Sequence, residues 1–78
     1  MSNTQNVVRA IEGNCPTLRK NNEFVEPRNG QSKTVLVFKG DGDVQTVTKQ
    51  VKDAISSMPN VTAELTHSGS TLEFEVVF

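Results

Sequence analysis

Asp43-Val44-Gln45-Thr46-Val47-Thr48-Lys49-Gln50-Val51-Lys52-Asp53-Ala54-Ile55-Ser56-Ser57-Met58-Pro59 is the stretch on which the fold turns. Its apolar residues, Val44, Val47, Val51, Ala54, Ile55 and Met58, recur at the three- and four-residue steps of an amphipathic helix and fit no strand period. Asp43 stands at the N-cap position, with an oxygen for an orphan backbone N–H and a charge suited to the helix dipole. Pro59 is the expected stop, because the residue before a proline is pushed out of helical geometry. The opposite side, with Lys49, Gln50, Lys52 and Asp53, is polar. A helix with one apolar stripe needs a flat apolar surface to cover.

The flanking residues supply that surface. Thr34-Val35-Leu36-Val37-Phe38 is β-branched and aromatic, and four successive apolar residues predict an interior strand with both faces at least partly covered. Beyond the helix, Val61, Ala63 and Leu65 alternate with polar residues, as do Leu72, Phe74, Val76 and Phe78. These are two half-buried strands joined around Ser68-Gly69. A hairpin centred between Ser68 and Gly69 sets Leu65 opposite Leu72, Ala63 opposite Phe74 and Val61 opposite Val76, all apolar pairs. The same register sets Glu64 opposite Glu73 and Thr62 opposite Glu75. The last strand, the more apolar of the two, is expected to insert between the other strands, antiparallel to both. Residues 33–78 then form a split βαβ unit within a small, mostly antiparallel α+β fold, one main helix lying on one face. This layout is similar to half of a ferredoxin-like domain, heavy-metal-associated domains included. In those, a glycine after the first strand leads to a Cys-x-x-Cys motif at the helix start. Here Gly40 leads to Asp41-Gly42-Asp43 with no cysteine, so the resemblance implies the layout and no metal function.

Residues 1–32 read less sharply. Val7, Val8 and Ile11 suit a short helix stopped by Gly13, or a strand. Thr17–Arg19 and Glu23–Glu26 around Asn21-Asn22 suit a small hairpin, and Pro27-Arg28-Asn29-Gly30 a turn into the next strand. The 78 residues are expected to form one domain, in which a small core leaves oligomerisation or docking on a partner as the means of added stability. Cys15 is the only cysteine and His67 the only histidine, so an internal disulfide is impossible and a structural zinc site lacks ligands. No signal peptide or spanning segment is legible, and a cytoplasmic protein without a membrane partner is expected.

No cofactor or catalytic set emerges. Gly40-Asp41-Gly42 lies where phosphate loops lie, but Gln45 replaces the third glycine of a dinucleotide fingerprint and two aspartates repel phosphate. Cys15 and His67 have no partner in sequence for nucleophilic work. The chain is therefore expected not to be an enzyme. What remains is charge. Residues 1–39 hold six Lys and Arg against three Glu, and residues 40–78 hold two Lys against six Asp and Glu. Glu64, Glu73, Glu75 and Thr62 form an acidic ribbon on the outer side of the last hairpin, to be neutralised by the basic half of the chain or by a partner. The expected function is a protein-binding module that occupies a surface of a larger protein or assembly. By analogy of size, it would be a small inhibitor or accessory subunit of a virus or mobile element, with an edge-to-edge homodimer as a variant. The alternative is a nucleic-acid-binding accessory using Arg19, Lys20, Arg28 and Lys33.

Overall fold

The computed structural model describes residues 3–78. In chain order the elements are helix α1 (Thr4–Asn14), strands β1 (Leu18–Arg28) and β2 (Gln31–Gly40), helix α2 (Val44–Ile55), and strands β3 (Thr62–Ser68) and β4 (Leu72–Val77). The strands form one sheet in the order β1-β2-β4-β3, with every neighbouring pair antiparallel. β4 thus lies between β2 and β3, as the split βαβ reading expects, and the small α+β class is the one the chain adopts.

Both helices lie on one face. Val7 and Ile11 of α1, Val47, Val51 and Ile55 of α2, and Leu18, Leu36, Phe38, Leu72, Phe74 and Val76 of the sheet form one buried cluster. The α1 alternatives resolve as a helix. Asn3 Oδ1 accepts the Asn6 N–H at 2.9 Å and Asn14 Nδ2 donates to the Gln50 carbonyl of α2 at 2.7 Å. α2 begins as expected at Asp43, but it ends at Ile55, before Pro59 can act. The Ser56 hydroxyl and N–H both turn back to the Asp53 carbonyl and close the last turn. Gly40 is dictated by close approach, since a Cβ there would overlap the Thr17 carbonyl.

Two expectations need correction. The hairpin around Asn21-Asn22 does not form, and Thr17–Glu26 is not two strands. β1 is a single edge strand that pairs with β2 on both sides of a bulge at Asn21. The Lys20 N–H beside that bulge is taken by Glu12 Oε2 at 2.9 Å. The hairpin turn is Asn29-Gly30, the second half of the Pro27–Gly30 stretch read as a turn, both at positive φ (52° and 79°), the pair that a tight two-residue hairpin favours.

The second correction is the register of the last hairpin. Leu65 faces Phe74 and Ala63 faces Val76, two residues further along β4 than expected, so Glu64 faces Glu75 and Thr62 faces Val77. Thr66 bulges out, its hydroxyl donating to the Glu73 carbonyl at 3.2 Å, and His67 comes opposite Glu73. A shift of two residues preserves which face is apolar. Continued, the register sets buried Val61 beside Phe78, so the chain's last aromatic joins the core.

Candidate functional site

The helix-free face of the sheet is built in rows. One row runs Phe24, Val35, Val77, Thr62; the next Asn22, Val37, Glu75, Glu64; the third Arg19, Lys39, Glu73, His67. The first row is apolar at its centre and the second ends in two carboxylates side by side. Val35 belongs to this uncovered face, yet it is 0 % exposed.

Arg28 reaches over this end of the face. Along the ladders it stands opposite Gln31, while Glu75 stands opposite Val37. Six residues of flat strand would separate those positions by about 20 Å, beyond the reach of the two side chains. Arg28 nevertheless donates to Glu75 Oε1 at 2.7 Å and to Glu26 Oε1 at 2.7 Å. The β1–β2 hairpin is therefore twisted and curled enough to bring Arg28 onto the outer face, where it lines one cavity with Thr62 and Val77 of the first row. Its two carboxylate partners hold the guanidinium pKa above the usual arginine value.

The acidic ribbon is thus unequally served. Glu75 has Arg28, and Glu73 has Lys39 at 3.8 Å. Glu64 faces Glu75 and has no ion pair among the described residues. A small cavity of about 410 Å³, lined by Arg28, Thr62, Glu64, Glu75 and Val77 among others, opens at this end of the rows. The four residues proposed for a basic surface are mostly engaged within the chain. Lys20 pairs with Glu23 at 2.7 Å, Arg28 holds its two glutamates, and Arg19 Nη1 donates to the Pro16 and Leu18 carbonyls. Lys33 alone has no such contact among the described residues.

The residues considered for other chemistry lie apart. Asp43 Oδ2 accepts the Thr46 N–H at 2.9 Å and the Thr46 hydroxyl at 3.0 Å, and these bonds lower its pKa. Burial pushes the Cys15 thiol up, disfavouring the thiolate. Among the described residues no three His, Cys, Asp or Glu side chains come together to hold a metal. No helix among them is long and apolar enough to cross a membrane.

One feature escapes the sequence reading. Between α2 and β3 runs an open groove of about 740 Å³. Ala63, Leu65 and Phe74 form its floor and Val44, Thr48 and Val51 its wall, with Lys49, Lys52 and Asp53 along the helix side and Glu64 at the strand rim. Val44, placed in the buried stripe by periodicity, is exposed here. No known protein family, curated protein or solved structure matches the chain.

Proposed function

We propose that the chain is a non-catalytic protein-binding module, an inhibitor or accessory subunit that acts by occupying a surface of a larger protein. The observation that carries this reading is Glu64. Like charges opposite one another on a strand pair destabilise it, and among the described residues Glu73 and Glu75 have ion pairs while Glu64, beside Glu75, has none. A basic group on a partner relieves that repulsion and gains orientation from it. Glu64, Glu75 and Thr62 then form the contact, with Glu73 at its margin. The alternative, nucleic-acid binding through Arg19, Lys20, Arg28 and Lys33, must first release three of those cations from their present partners.

Affinity purification of tagged wild type and of Glu64→Lys from the native host, with mass spectrometry, tests the proposal. A partner retained by the wild type and lost by a folded Glu64→Lys supports it. Identical partners for both remove the acidic face as the contact. Binding to single- or double-stranded nucleic acid that weakens steeply with salt would favour the alternative.

A further inference from the structure

We infer that the open edge of β3 and the groove beside it take an extended segment of a partner protein as a fifth strand. That segment is apolar at alternate residues and basic at the residue beside Glu64. The inference rests on the protein-binding reading above and specifies its partner.

β3 is terminal in the sheet, so half of its backbone N–H and C=O groups point to no strand. Strand addition draws affinity from such groups and selectivity from pockets that receive alternate side chains. The groove supplies the pocket. Its volume of about 740 Å³ lies within the ~300–1,000 Å³ of sites that enclose small ligands, so it holds more than one side chain. Residues of an added strand alternate between the two faces of the sheet. Those on the helix side continue the floor of Ala63 and Leu65 beneath α2 and cover Val44. Those on the other side extend the row that ends Val37, Glu75, Glu64. Arg28 already serves Glu75, so a lysine or arginine beside Glu64 completes the row, whereas an acid there would stand third in a line of carboxylates.

The other edge is defended. β1 carries the Asn21 bulge, Pro27 and the charged Lys20, Glu23 and Glu26, devices that discourage further pairing. A second copy of this chain is the poorer occupant of the β3 edge. On its outer side β3 presents Thr62 and Glu64 and no lysine or arginine. Edge-to-edge pairing would add a second Glu64 to the same face, beside two carboxylates already there.

Random short peptides displayed on phage, panned on the immobilised wild-type chain, test this, with enriched sequences synthesised and measured by calorimetry. Enriched peptides should alternate apolar residues and carry Lys or Arg at an intervening position. Methylating alternate backbone nitrogens, and the substitution Glu64→Lys, should each weaken binding about tenfold or more. Thr48→Lys and Leu65→Lys should do the same by filling the groove, the former retaining the fold should the latter lose it. Enrichment without alternation, no enrichment at all, or equal affinity for the methylated peptide would overturn the inference. So would sedimentation of the wild type as a dimer that Glu64→Lys alters, which would place a second copy on the edge. Host partners that depend on Glu64 while no strand-like peptide binds would remove strand addition alone and leave the protein-binding reading standing.

Discussion

At the scale of single residues, two side chains make opposite contributions. Asp43 caps α2, and its folded pKa lies below the unfolded value of about 3.9. A carboxyl with a depressed folded pKa stabilises in full above its unfolded pKa, and the contribution fades as pH falls through the folded one. Urea titrations should show wild type losing midpoint below about pH 4 more steeply than Asp43→Asn, which keeps an acceptor but has no proton to gain. Thr48 acts the other way. Its Oγ1 is shut from solvent without a hydrogen-bond partner among the described residues, and such a group costs about 1–3 kcal/mol. Thr48→Val, nearly isosteric, should raise the thermal midpoint, and a lower one would refute this account. Asp43 was legible as a cap from its place before an apolar period. Thr48 was not, because burial of one atom depends on the tilt of α2 over β3.

At the scale of elements, local chemistry was readable and pairing offset was not. The α2 stripe, the interior position of β2 and the insertion of β4 all follow from where apolar residues fall. The hairpin register did not: the loop turns later than Ser68-Gly69, with Ser68 opposite Leu72. The Thr66 bulge takes one residue back, so the pairs beyond it lie two residues from the expected ones and the apolar face is unchanged. That shift moved Glu64 from Glu73 to Glu75, the carboxylate that Arg28 serves. Asn21-Asn22 misled for a related reason: asparagine tolerates a bulge as readily as a turn, and Asn29-Gly30 is the stronger turn pair. Glu64→Lys should stabilise the isolated chain within the ~0.2–1 kcal/mol range of cross-strand pairs, read as a higher denaturation midpoint. The Arg28 clasp makes a separate prediction. Arg28→Ala should speed amide hydrogen exchange in residues 24–33 with little change at Phe38 or Phe74, because the bent tip would open without the rest of the sheet. Uniformly faster exchange would show the clasp to be part of the global fold.

At the scale of the whole molecule, the bent arm leaves a radius of gyration of 11.7 Å, close to the about 11.5 Å that chain length alone gives. The core is a single layer between two helices and one sheet face. Cys15, fully buried where α1 hands over to β1, is therefore a natural reporter of global opening. In native buffer a thiol reagent should modify it far more slowly than it modifies the unfolded chain. The rate should climb with urea in step with loss of helical signal. Labelling at the free-thiol rate in native buffer would mean that α1 detaches on its own. The charge asymmetry of the two halves was legible, but how it is resolved was not. Arg28 and Lys39 reach acids of the other half, whereas Lys20 is spent on its own neighbour, Glu23.

The strand order has a consequence for how the chain comes into being on the ribosome. β4 is made last of the four strands and fills an inner place, between β2 and β3. Until residues 72–77 have left the exit tunnel, β3 has no partner and the β2 edge lies bare, so a nascent chain halted before Leu72 can hold only the β1–β2 hairpin and its helices. Assembly of the sheet is therefore a post-emergence event, and a translational pause late in the message would prolong the exposure of an unfinished, adhesive edge.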